Sequence, residues 1–252
     1  MSMTDQIYFS GDYSDWAQAA SQASGYDQRE ILEKAVSATL AVKSGNAAAQ
    51  RDGVLLDKIP YNFPLITTLL SAALQDRNRL NVLDFGGSLG SSYFDNRGFL
   101  ETVSDFNWST IEQPQFVAAG RAHLASNELH FFETIEDCAR HFRPNVIVLS
   151  GVLQYLPDPW EKLQTLRQLG SLYIFVDRTA FTVSDSDRLT IQHVPGWIYE
   201  ASLPSWFLSE TKFLKWVSDS GYKIICEFPA LDSYSLPGAE VSFKGLICRK
   251  VL

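Results

Sequence analysis

Asn81-Val-Leu-Asp-Phe-Gly-Gly-Ser-Leu-Gly90 decides how this chain is read. Val82, Leu83 and Phe85 form a short apolar run broken only by Asp84, and Ser91-Ser-Tyr-Phe94 follows as a helix start. An apolar run, a glycine-rich turn and then a helix is the pattern of a buried parallel strand feeding a crossover. Glycine suits the turn because its backbone angles exclude a side chain and because a ligand must approach the main chain closely. The helix start offers unpaired N–H groups to anything electron-rich. Asp84 lies two residues before Gly86, at the strand's end, so its carboxylate is expected to face the same crevice as the loop.

Working outward, strand and helix alternate. The spacing predicts strands at 107–112, 129–132, 146–150 and 172–176, with helices at 116–124, 135–142 and 160–169 between them. Such repetition implies a parallel sheet covered by helices on both faces, with all strand carboxyl ends on one side. The tail breaks the rhythm. A helix opened by Ser209 is followed by two strands, 222–228 and 242–249, joined by a Pro/Gly loop with no helix, so they should pair antiparallel. Towards the N-terminus, Asp27 with Glu30 makes a capping box for a helix through Ile31, Leu32, Ala35, Val36 and Leu40. A second helix runs through Leu65, Ile66, Leu69, Leu70, Ala73 and Leu74. The first 25 residues and the aromatic-rich stretch 181–204 carry no sustained period and read as an arm or lid and an insertion.

The expected fold is therefore α/β: a Rossmann-like, doubly wound, seven-stranded sheet, mostly parallel with one antiparallel strand near the C-terminus. Residues 1–78 would form an N-terminal arm and helical cap. Residues 79–252 would form the Rossmann-like domain, with a substrate-side insertion at about 178–208. Composition agrees with a globular enzyme, at 46% hydrophobic and 20% charged residues over 252 positions. A net charge of −8, with Lys and Arg scattered singly, argues against nucleic acid and anionic membrane as partners. Cys138, Cys226 and Cys248 show no ligand spacing, point to no metal, and read as buried thiols of a reducing compartment. With no signal peptide or membrane-length apolar run, the expected location is cytoplasmic. The composition assigns no oligomeric state.

Glu112 closes the second strand, 28 residues after Asp84, where a carboxylate can accept both hydroxyls of a ribose. A dinucleotide fingerprint would want glycine at 86, 88 and 91, and two of those are serine. The spacing Asp84-x-Gly86-x-x-x-Gly90 resembles the first motif of class I S-adenosylmethionine (SAM)-dependent methyltransferases, with Ser88 where the middle glycine normally stands. Trp108-Ser-Thr-Ile-Glu-Gln-Pro114 resembles the second motif. Val146-Ile-Val-Leu-Ser-Gly-Val-Leu-Gln-Tyr-Leu-Pro-Asp-Pro159 is similar to the fourth-strand stretch of many small-molecule methyltransferases. The likeness covers about residues 80–180. The chain also looks like a small bacterial branch of methyltransferases without an assigned acceptor, often met beside surface-polysaccharide genes. Asp177-Arg-Thr179, Ile191-Gln-His-Val-Pro195 and Ala201-Ser-Leu-Pro-Ser-Trp206 carry that resemblance.

The resemblance implies SAM as cofactor, with Asp84, Gly86, Gly87, Ser88, Gly90, Glu112, Gln113, Glu133, Thr134, Ser150 and Gly151 holding it. A small-molecule or glycan acceptor would meet Tyr155, Arg178, Trp197, Tyr199 and Trp206. A hydroxyl acceptor also needs a base. His193 is the first candidate, because imidazole titrates near neutrality, and Asp177 is the second. Two other readings stand beside methyl transfer: a SAM-binding sensor or assembly protein without turnover, and an NAD or nucleotide-sugar enzyme.

Overall fold

A computed structural model describes residues 6–25 and 29–251 of the chain. In chain order it begins with β1 (Tyr8–Tyr13), α1 (Trp16–Ser21), α2 (Arg29–Lys43), β2 (Ala49–Arg51), β3 (Val54–Leu56) and α3 (Phe63–Gln75). There follow β4 (Arg79–Phe85), α4 (Ser91–Asn96), β5 (Asp105–Ile111), α5 (Pro114–His123), β6 (Leu129–Phe132), α6 (Ile135–His141) and β7 (Val146–Ser150). The last part holds α7 (Pro159–Arg167), β8 (Tyr173–Thr182), β9 (Arg188–Val194), β10 (Ala201–Ser209), α8 (Glu210–Asp219), β11 (Tyr222–Pro229) and β12 (Val241–Lys250). These elements make two compact units, each drawn from separate stretches of chain.

The first unit comprises residues 29–150 and 164–175. Its strands run parallel in the order β7-β4-β5-β6, and the Tyr173 N–H donates to the Asn145 carbonyl where β8 begins. Leu80, Val82 and Leu83 of β4 and Val146 to Leu149 of β7 are all buried. Burial of successive residues, rather than alternate ones, is what a sheet covered on both faces produces. Asn145 ties the strand starts together, accepting the Asn81 N–H at 2.9 Å and donating to the Arg79 carbonyl at 2.8 Å. Asn62 caps α3 by accepting from the Leu65 N–H, and proline sits in the first turns of α3 and α5, where a missing N–H costs nothing. The β2–β3 hairpin turns through Asp52 and Gly53, both at positive φ. Its Gln50 is buried and donates to Ser91 Oγ, which ties the hairpin to the first turn of α4. Asp27, half of the expected capping box, lies outside the described residues; α2 itself is present.

The second unit comprises residues 6–25, 151–163 and 176–251 among those described. β9 pairs antiparallel with β1 on one side and with β10 on the other, and β10 meets the end of β8 in parallel. β11 and β12 pair antiparallel, as the missing helix between them requires, and Ser209 caps α8. All seven expected strands are present, but among the described residues β1, β9 and β10 add three to their sheet and β2–β3 form a second one, so the count of seven is corrected. The arm holds a strand and a short helix, and the insertion is sheet. β1 carries Gly11 within Tyr-Phe-Ser-Gly-Asp-Tyr, and β10 carries Pro204. Both residue types argue against a strand when read locally, and tertiary pairing overrides them. Phe9, Ala180, Phe207 and Leu236 form one core of this unit, and Ala19, Leu189 and Ile191 another. Cys138 and Cys248 are buried, but Cys226 is exposed, because β11 is mostly exposed along its length. No described helix is long and apolar enough to cross a membrane.

Candidate functional site

In the first unit the glycine loop begins where β4 ends. The Gly86 N–H donates to the Ile111 carbonyl at 2.9 Å, which carries the β4–β5 ladder one residue into the loop. Gly86 and Gly90 have φ of 72° and 85°, and Ser88 has φ of 51°. The middle position of the motif is therefore left-handed, the physical reason a glycine is favoured there, and this chain places serine in that conformation. Gly87 is restricted by space instead: a Cβ added to it would lie 2.4 Å from an oxygen of Asp84.

Asp84 is 1% exposed and accepts a 3.1 Å hydrogen bond from the Trp108 indole N–H. Burial pushes its carboxyl up to about 7; the Trp108 bond opposes this and the nearby Glu112 charge adds to it. Glu112 follows β5. One of its oxygens accepts from the Ser88 N–H at 3.2 Å and the other from the Gln113 N–H at 2.8 Å. Burial raises the Glu112 pKa, against those two backbone bonds. Gln113 occupies the cap position of α5. Glu133 and Thr134 are exposed beyond β6, and Thr134 accepts from the Asp137 N–H to cap α6. Ser150 ends β7, half-buried. The structure thus brings Asp84, Gly86, Gly87, Ser88, Gly90 and Glu112 to one strand–loop junction, with Glu112 hydrogen-bonded to the Ser88 N–H and Asp84 against Gly87.

The second unit holds the residues expected at the acceptor. The Gly151 N–H donates to the Asp177 carbonyl at 2.9 Å. Asp177 is buried, and its carboxylate accepts the Arg178 N–H at 2.8 Å. Arg178 pairs with Asp232 through its Nε. The Tyr155 hydroxyl donates to Gln192 Oε1 at 2.6 Å. His193 lies opposite Tyr8 in the β9–β1 ladder, stacked on its ring at 4.3 Å, with Nε2 2.7 Å from Ser10 Oγ. Partial burial lowers the His193 pKa. Trp206 donates its indole N–H to the Leu156 carbonyl and stacks on Trp16. Trp197, by contrast, is 64% exposed in the turn between β9 and β10, and Tyr199 is half-buried there.

No protein-family model matches the chain, and no curated protein matches it. Solved structures do. The N-terminal domain of EvdMO1, determined in the presence of SAH and D-fucose, is 17% identical with a TM-score of 0.50; the match covers 90% of this chain and 98% of that one. A SAM-dependent methyltransferase from Methanosarcina mazei is 12% identical with the same TM-score, over 76% of this chain and 99% of that one. The chain has the class I methyltransferase fold.

Within that fold, several residues that hold the candidate groups give no local signal. Trp108 reaches Asp84 because the β4–β5 register sets Val82 beside Trp108 and Asp84 beside Thr110. A reading of β5 alone shows only an aromatic strand residue. Ser10 and Tyr8 are invisible as partners of His193 until β1 is paired with β9. Asp232 lies in the Pro/Gly loop after β11, which sequence marks as a connection and nothing more. Among the described residues no cluster of His, Cys, Asp and Glu could hold a metal ion.

Proposed function

We propose that the protein is a SAM-dependent methyltransferase acting on a hydroxyl of a small molecule, sugar or glycan. One observation carries the reading: Glu112, at the end of the second parallel strand, is fastened to the glycine loop through the Ser88 N–H. That puts a carboxylate and a run of backbone amides at one strand–loop junction of a class I methyltransferase fold. The neighbours support the same cofactor, since the EvdMO1 domain was determined with SAH and the Methanosarcina mazei protein is named a SAM-dependent methyltransferase.

The residues fit such a cofactor. Gly87 has no side chain where the buried Asp84 carboxylate stands, so the loop's main chain packs directly against the end of β4. Gly86, Gly87, Ser88 and Gly90 would hold the methionine portion, and Glu112 with Gln113 the ribose. Glu133, Thr134, Ser150 and Gly151 belong to the same proposed set. The cofactor supplies an electrophilic methyl on a sulfonium, so the protein's work is to desolvate the acceptor, align it and take its proton. His193 is suited to the last task. Burial favours its neutral form, the form that accepts a proton, and Tyr8 and Ser10 fix the ring. Asp177 is the second candidate.

Calorimetry tests the reading. S-adenosylhomocysteine should bind the wild type, and Glu112→Ala should weaken it by about 1–3 kcal/mol, the cost of leaving buried hydroxyls unpaired. NAD should not bind. Binding of NAD without S-adenosylhomocysteine would overturn the proposal.

A further inference from the structure

Methyl transfer leaves the acceptor open, and a cluster inside the second unit bears on it; the inference rests on the methyltransferase reading above. Two stretches distant in sequence meet Arg178, residues 151–154 and Asp232, beside its neighbour Asp177. Arg178 has φ of 51° in the middle of β8. A bulky residue holds a left-handed angle only where its surroundings over-determine it, and such positions concentrate at binding and catalytic sites. The surroundings here are polar. The Gln154 amide donates to the Arg178 carbonyl at 2.9 Å, the Asp177 carboxylate accepts the Arg178 N–H, and Asp232 accepts from the guanidinium. The guanidinium also lies against Gly151, its Cζ and Nη1 both 3.7 Å from where a Cβ there would stand.

The Arg178–Asp232 pair differs from an ordinary surface bridge. Its side chains are 27% and 12% exposed. The loop carrying Asp232 is pinned by Leu236, buried with Phe9, Ala180 and Phe207. The positive charge is therefore answered within the protein by a fixed carboxylate. Beside it, Gln154 is 3% exposed, and its Oε1 is buried with no hydrogen-bond partner, while the Tyr155 hydroxyl is directed to Gln192. Buried acceptors without a donor are rare and call for an explanation.

We infer that the Arg178–Asp232 pair, with Gln154 and Tyr155 alongside, binds a neutral polyhydroxylated acceptor and rejects anionic ones, Asp232 being the residue that sets the choice. An alcohol both donates and accepts, so it can donate to Asp232 or Gln154 Oε1 and accept from the Arg178 guanidinium. A carboxylate or phosphate only accepts. It would leave Gln154 Oε1 unanswered and would face the Asp232 charge.

The test uses the full chain saturated with S-adenosylhomocysteine, and saturation-transfer NMR with two matched pairs of sugars: D-galactose against D-galacturonate, and D-glucose against D-glucuronate. The wild type should bind at least one neutral sugar and prefer it to its uronate. Asp232→Asn, which keeps the shape and removes the charge, should raise uronate binding relative to the neutral sugar by roughly tenfold. Asp232→Glu should keep the wild-type preference. A wild type that prefers uronates, or binds none of the four, overturns the inference; so does a folded Asp232→Asn with the wild-type preference. S-adenosylhomocysteine affinity, measured first, separates the two ideas. Without it the methyltransferase reading fails and this inference falls with it. With it intact, a failure in the sugar arm belongs to the acceptor inference alone.

Discussion

The two units hold their polar groups by different means. In the first, Asp84 and Glu112 are fixed from the adjacent strand, the loop after β4 and the residue next in the chain. In the second, Ser10 reaches His193, Tyr155 reaches Gln192, and Arg178 reaches Asp232, contacts separated by 183, 37 and 54 positions. The first is a strand–turn–helix device whose geometry the local backbone nearly dictates. The second is assembled from pieces that meet only after the chain has folded. Backbone binding of a constant group suits the first arrangement. Side-chain recognition, which can change without disturbing a ladder, suits the second.

The proposed division of labour between the units can be broken most directly at His193. His193→Ala should lower turnover on a true acceptor by on the order of 10²- to 10⁴-fold, the usual contribution of a general base, and leave S-adenosylhomocysteine affinity unchanged by calorimetry. Because burial lowers this pKa from 6.5, the wild-type rate should rise with pH and reach half its plateau below that value. Full activity in the variant would move the proton transfer to Asp177. Loss of cofactor affinity would instead mean that the two units do not divide the work.

A smaller effect sharpens the other side of the comparison. The Asp84 carboxyl is held at about 7 against an ordinary 3.8. A carboxyl raised on folding favours the folded state while protonated. Its contribution is complete below the unfolded value and is lost as pH rises through about 7, a swing of roughly 4 kcal/mol at most. Thermal melts from about pH 5 to about pH 8 should therefore show falling stability, and Asp84→Asn should flatten that slope while keeping an acceptor for Trp108. Parallel slopes for the two proteins would place the titration elsewhere.

The smallest effect is expected at Trp197. Exposed in the β9–β10 turn, it should change unfolding free energy by no more than about 0.5 kcal/mol when replaced by alanine. Any functional loss should appear as a raised KM for the acceptor, as expected of a stacking platform. A large fall in melting temperature would mark Trp197 as a packing aromatic rather than a stacking platform.

Sequence by itself determined the parallel half. The strand at β4, the glycine turn, the acidic end of β5 and the alternation of strand and helix each leave a local trace. Their apolar runs are continuous, and their turns need particular residues. It also determined that β11 and β12 pair antiparallel, since no helix lies between them to cross over. Tertiary structure alone decided the rest. β1 contains a glycine and β10 a proline, so neither announces itself as a strand, and each becomes one through its neighbours, β9 for β1 and both β9 and β8 for β10. The partners of His193 and Arg178 follow from that pairing and from a loop pinned by Leu236. Contacts between residues so far apart are set by which strands lie side by side, and short-range periodicity carries no record of that choice.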